Sequence, residues 1–361
     1  MRTLAKLVAI TALATCHAQE AAESERRRPQ VPVKPYPYRE EQVVYISSAA
    51  AVELAATFTI PTGKGPFPAV VLITGSGPQD RDESLAGHRP FLILSDYLTR
   101  RGIAVLRADD RGVGKSTGNF QTATTADFAA DAEAGVAYLK TRSEADPHRI
   151  GLIGHSEGGI IAPMLAARNP NIAFIVMMAG PGVPGDEIIE NQTLLMAEAN
   201  GARLKVAEKQ VAQQREIDAI IKSADDEAVI EKNLRQRAAE GDLDPAIEGR
   251  IKVMNTPWFR YSLKYDPAAA LRKLRCPVLA INGEKDLQVS PRQNLPVIRR
   301  ALEESGNKDF EVEELPGLNH LFQTAATGAP KEYEEIEETI SPLALGKIAS
   351  WISKLPGYVR P

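Results

Sequence analysis

The chain has 361 residues, 43% of them hydrophobic, a formal net charge of −4 and five histidines. That length supports one large domain, or one domain with a sizeable insertion, around an ample core. No basic stripe is present, which argues against nucleic acid as a partner. No cysteine–histidine cluster has zinc spacing, so no metal site is expected.

The N-terminus reads as a targeting segment. Arg2 and Lys6 give a positive start, and residues 7–14 are apolar but too short to cross a bilayer. Cys16-His17-Ala18 offers small residues for cleavage before Gln19, so residues 1–18 are expected to be a signal peptide and the protein to be exported to a bacterial periplasm. Leu13-Ala14-Thr15-Cys16 also resembles a lipoprotein signal, in which Cys16 would carry a lipid anchor. Thr15 fits that signal poorly, and cleavage after Ala18 is favoured. Only Cys276 then remains, which excludes an internal disulfide. It opens an apolar strand pattern and reads as a small buried hydrophobe. Residues 19–41, with Pro29, Pro32, Pro35 and Pro37, read as an extended linker.

The folded body is expected from Gln42. Residues 43–46 and 52–60 read as strands, and 68–74 as a strand apolar on both faces. A helical pattern over 90–101, a strand over 102–107, a helix over 125–141 and a strand over 149–153 follow. A helix from 160 and a strand over 172–178 complete this half. Strands and helices alternating at this spacing predict an α/β fold with a mainly parallel sheet.

The rhythm breaks after Gly180. Residues 186–200, 204–224 and 226–240 are charged and helical in spacing. We expect a helical cap inserted over 185–265, splitting the core into 42–184 and 266–361. Such an insertion falls where parallel sheets bind ligands and would shape the substrate site. Trp258, Phe259 and Tyr261 are candidates to line that site or to pack. The alternation then resumes: a helix over 267–275, a strand over 277–281, a helix over 291–305, a strand over 310–315 and a closing helix over 341–354.

Gly154-His155-Ser156-Glu157-Gly158 lies where the strand at 149–153 meets the next helix. A serine on a sharp strand-to-helix turn has its hydroxyl pushed out of the fold, and flanking glycines let the backbone take that turn. The helix N-terminus there favours developing negative charge. A serine hydroxyl needs a base, and the base needs an orienting carboxylate. His320 is the one histidine downstream of Ser156, just after the last predicted strand. Asn282-Gly283-Glu284-Lys285-Asp286 follows the strand ending at Ile281. Asp286, deeper in the loop, is favoured as the acid over Glu284. Two backbone N–H groups should hold the oxyanion. Glu157 supplies one, and the loop Gly75-Ser76-Gly77-Pro78 the other, with Ser76 the first choice and Gly75 the alternative. Gly112-Val113-Gly114-Lys115-Ser116 mimics the end of a phosphate-binding loop. Asp109 stands where that motif needs glycine, so the nucleotide reading fails and a turn tied down by Asp110 and Arg111 is expected.

These segments, with Ile73-Thr74 and Asp109-Asp110-Arg111-Gly112, make residues 42–354 resemble the serine-dependent α/β-hydrolases. The likeness is to bacterial esterase-like members of the serine aminopeptidase type. The resemblance implies an eight-stranded sheet, a Ser156–Asp286–His320 triad and no cofactor. Thr74-Gly75 departs from the usual His-Gly opening of the oxyanion loop, which leaves the second donor open.

The expected activity is hydrolysis of a small-molecule carboxylic ester through an acyl-enzyme on Ser156. A peptidase is the main alternative, with Asp186, Glu187 and Glu190 as candidates to meet a substrate amine. A thioesterase and a non-catalytic ligand-binding protein are further alternatives. A dehalogenase or epoxide hydrolase would need a carboxylate at position 156.

Overall fold

The computed structural model describes residues 27–47 and 51–355. The expected signal segment and Cys16 lie outside them. Eight strands form one sheet: β1 (Arg39–Ser47), β2 (Val52–Ile60), β3 (Phe67–Ile73), β4 (Ala104–Ala108), β5 (Ala145–His155), β6 (Ile175–Met178), β7 (Val278–Gly283) and β8 (Phe310–Leu315). Their spatial order is β1-β2-β4-β3-β5-β6-β7-β8. β1 and β2 run antiparallel to their neighbours, and from β4 to β8 every pairing is parallel.

The helices are α1 (Pro90–Thr99), α2 (Thr125–Lys140), α3 (Gly158–Ala166), α4 (Gly185–Ala199), α5 (Leu204–Lys222), α6 (Glu227–Ala239), α7 (Ile251–Met254), α8 (Pro257–Lys264), α9 (Pro267–Leu271), α10 (Pro291–Glu304) and α11 (Pro342–Lys354).

Every residue of β3 is buried because the sheet is covered on both faces. Ala69, Val71 and Ile73 point into a core shared with α2, α3, α9 and α10. Val70 and Leu72 point the other way, against α1 and α11. Period-two alternation thus serves two cores at once. β3 pairs with β4 on one side and with β5 on the other, so the connections leaving β3 and β5 diverge. That is the point where open parallel sheets form a crevice.

Pro184–Tyr265 forms a compact unit of its own. Ile217, Ile221, Ile230, Leu234, Phe259 and Leu263 belong to its separate apolar centre.

Three expectations need correction. β1 begins at Arg39, inside the stretch expected to be linker. The described part of that stretch is also pinned: Arg28 donates to the carbonyls of Gly87, Ala86, Ile336 and Glu334, and Gln30 bonds Thr339 and Ile340. Prolines keep this segment extended, but long polar side chains tie it down. β6 starts at Ile175, not at 172, although Ala173 N–H and Phe174 carbonyl already bond β5 in an irregular ladder. Cys276 is half-buried rather than buried, and burial pushes its thiol up to about 11, which leaves it unreactive.

The loop after β4 is fixed by ion pairs. Arg111 grips Asp131 of α2 through two bonds of 2.7 and 2.8 Å, both side chains nearly covered. Asp109 accepts from the Arg81 side chain and from Lys115 N–H. The turn is tied as expected at Arg111, with Asp109 taking a share that the sequence did not suggest.

Breaking a buried ion pair strands its partner. Asp131→Ala should therefore lower unfolding free energy by about 3 kcal/mol in chemical denaturation, and Arg111→Met/Asp131→Leu should recover most of that loss.

Candidate active site

β5 ends at His155, and α3 starts at Gly158. Ser156, between them, sits at φ +52°, a left-handed backbone that costs a non-glycine residue about 1–2 kcal/mol. Its N–H bonds the Met178 carbonyl at 2.8 Å, and its carbonyl takes Gly159 N–H at 2.9 Å.

The flanking glycines are needed for a different reason from the one expected. Neither Gly154 nor Gly158 has positive φ. A Cβ on Gly154 would lie 1.9 Å from the Gly158 carbonyl oxygen, and one on Gly158 would lie 2.1 Å from the Ile73 carbonyl oxygen. They let β5, α3 and the end of β3 pack backbone to backbone, and the strain falls on the serine.

Asp286 follows the end of β7, and His320 follows the end of β8. His320 Nδ1 donates to Asp286 Oδ2 at 2.7 Å, and both residues are buried. Asp286 Oδ1 accepts from the Gln288 and Val289 amides at 2.8 and 2.9 Å. With Nδ1 donating, Nε2 is left as the basic nitrogen of the ring. Glu284, the competing acid, instead accepts from Gly317 N–H at 2.8 Å. The sequence placed Asn319 beside His320 in the family resemblance but gave it no role of its own. It is fully buried, its Oδ1 accepts from the Leu321 and Gln323 amides, and it shapes the His320 loop.

The loop after β3 lies beside the serine. A Cβ on Gly75 would stand 3.2 Å from Ser156 Cβ. The Gly75 N–H donates to Glu83 Oε1 at 2.6 Å, so Gly75 is not the alternative oxyanion donor. Ser76 N–H has no hydrogen-bond partner among the described residues. The Thr74 hydroxyl, in place of the usual histidine, donates to Asp110 Oδ1 at 2.8 Å, and Gln79 N–H reaches Asp110 Oδ2 at 3.0 Å. Burial holds the Asp110 carboxyl well above the usual carboxylate range, and the Glu157 and Glu83 charges push it further. The Glu157 side chain takes the Thr125 hydroxyl at 2.7 Å. A cavity of about 50 Å³ is bounded by Gly75, Asp110 and Glu157 among others, room for water rather than substrate.

His155 and Glu83 also escaped the sequence reading. His155 Nδ1 lies 2.9 Å from Glu83 Oε1, and its Nε2 lies 3.0 Å from the His320 carbonyl oxygen. The two histidine rings stand 4.9 Å apart. The only signal in the sequence was that an imidazole occupies a variable place of the serine motif.

Within the helical unit, Phe259 is a buried packing residue, Trp258 meets it edge-on, and Tyr261 stacks on Tyr265. Asp186 is paired with Lys222 and Glu190 with Arg215. Among the described residues, no group of three or more His, Cys, Asp or Glu could hold a metal ion, and no helix is long and apolar enough to cross a membrane.

The profile of the X-Pro dipeptidyl-peptidase (S15) family matches residues 50–307. Esterase EstD of Thermotoga maritima is 28% identical over 304 residues, which is 83% of this chain and 66% of that relative, so the chain spans a little under two-thirds of its length. The Pyrococcus furiosus esterase Pf2001 superposes with a TM-score of 0.55 at 17% identity, over 89% of this chain and 92% of that one. The α/β hydrolase GrgF from Penicillium sp. sh18 gives a TM-score of 0.54 at 16% identity, over 88% and 98%. These two structures establish the α/β-hydrolase fold. With most of its length matched by the family profile, the chain is a hydrolase of the serine-dependent α/β superfamily and belongs to the X-Pro dipeptidyl-peptidase (S15) family.

Proposed function

We propose that the protein hydrolyses a small carboxylic ester through an acyl-enzyme on Ser156. The observation that carries this reading is the buried 2.7 Å bond from His320 Nδ1 to Asp286 Oδ2; Ser156, in strained backbone at the end of β5, is the nucleophile of this reading. His320 Nε2 takes the proton as the Ser156 oxygen attacks the ester carbonyl. Asp286 fixes the tautomer and stabilises the imidazolium that forms. The Ser76 and Glu157 N–H groups hold the negative oxygen of the tetrahedral intermediate. The intermediate collapses, the alcohol leaves with the proton from His320, and water repeats the sequence on the acyl-enzyme.

The family description favours a second reading, cleavage after an X-Pro dipeptide. The name of the Thermotoga relative favours the ester. A peptidase of that kind needs a group for the substrate amine, and two of the three carboxylates considered for it, Asp186 and Glu190, already have cationic partners. The ester reading therefore stands first. Export to a periplasm remains part of the proposal and rests on residues 1–18 alone.

Ser156→Ala should lower p-nitrophenyl butyrate turnover more than about 10³-fold while the melting temperature is retained. Asp286→Asn, which keeps the shape but spoils the tautomer, should cost kcat about 10³- to 10⁴-fold. Kinetics on acyl esters beside X-Pro p-nitroanilides should give the higher kcat/KM for the esters; the reverse order would make the protein a peptidase.

A further inference from the structure

We propose that Glu83 and His155 form a second carboxylate–imidazole pair, in which His155 is an imidazolium and the pair positions both the loop after β3 and His320. The inference rests on reading Ser156 as nucleophile and His320 as base.

The protonation follows from what faces the ring. His155 Nδ1 lies 2.9 Å from a Glu83 carboxylate oxygen, and Nε2 lies 3.0 Å from the His320 carbonyl oxygen. A carboxylate and a carbonyl oxygen only accept hydrogen bonds. Both contacts are bonds only if both ring nitrogens carry hydrogen. A neutral ring would aim one lone pair at an oxygen from 3 Å or less, in a place where His155 is 6% and Glu83 3% exposed. Two acceptors facing each other that deep, with no hydrogen between them, are destabilising. The charged groups around the ring agree. Burial works against the charged imidazole, but Glu83, the His320 carbonyl and Asp286 outweigh it and hold His155 above its ordinary value. The other ring neighbours are His320 at 4.9 Å and Phe322 at 6.3 Å.

The pair acts on two parts of the site. Glu83 Oε1 also takes Gly75 N–H at 2.6 Å, which sets the backbone leading to Ser76. His155 holds the His320 backbone and backs its ring. Glu83 itself sits at φ +55°, a strained backbone that its two bonds retain. Neither side chain makes a hydrogen bond to the Ser156 hydroxyl, so both are positioning residues. Their loss should affect the transition state more than substrate binding.

Nitrogen-15 NMR of the full-length protein, with His155→Gln used for assignment, should show protons on both ring nitrogens of His155 at pH 7.5. In p-nitrophenyl butyrate assays Glu83→Gln and His155→Gln should each lower kcat about 10- to 100-fold with KM within about twofold. Glu83→Gln removes the charge that holds the His155 proton, so its alkaline loss of kcat should move to lower pH. The double variant should be no worse than the worse single one. A single ring proton on His155 in the unaltered protein, unchanged kcat, or additive losses in the double variant would overturn the inference. If the variants do not fold, the NMR of the unaltered protein decides. Fluorophosphonate labelling separates the two readings: an unlabelled Ser156 defeats the nucleophile assignment, whereas normal labelling with unchanged variant kinetics defeats the pair alone.

Discussion

One hydrogen bond, from His320 Nδ1 to Asp286 Oδ2, determines which nitrogen of the ring remains to act as a base. It depends on two loops that leave neighbouring parallel strands, β7 and β8, at the same edge of the sheet. Two backbone amides complete the Asp286 bonds, and Asn319 shapes the loop that presents His320. In the proposed mechanism that arrangement is what activates the Ser156 hydroxyl. The rest of the core unit can be understood as a frame that brings three distant loops to one edge.

The frame is rigid where it must be. Six non-glycine residues among those described have left-handed backbone, and five of them, Glu83, Ala86, Ser156, Ala179 and Phe322, lie in the segments leaving β3, β5, β6 and β8. Strain of this kind persists only where surrounding packing over-determines it. Gly154, Gly158 and Gly159 supply that packing, since a Cβ on any of them would collide with backbone. The buried grip of Arg111 on Asp131 holds the neighbouring loop to α2.

Much of this was legible in the sequence because the signals were physical. β2 and β8 fall on the predicted bounds, and β3 is shifted by one residue, since continuous burial and alternation mark strands clearly. The placement of Ser156, Asp286 and His320 followed from strand ends and from there being one downstream histidine. The start of β1 was hidden because prolines nearby suggest linker. The short turns after residue 241, including α7 and α8, carry too few residues for a period to register. The Glu83–His155 contact joins positions 72 apart, and nothing local announces it. Gly75 misled for the same reason: a distant carboxylate had already taken its N–H.

Rapid-quench mass spectrometry during turnover of a p-nitrophenyl ester tests the account most directly. It predicts a transient mass gain of one acyl group, mapped to Ser156, that forms and decays at rates able to support turnover. An acyl group carried by another residue, or turnover with no covalent species at all, would contradict it.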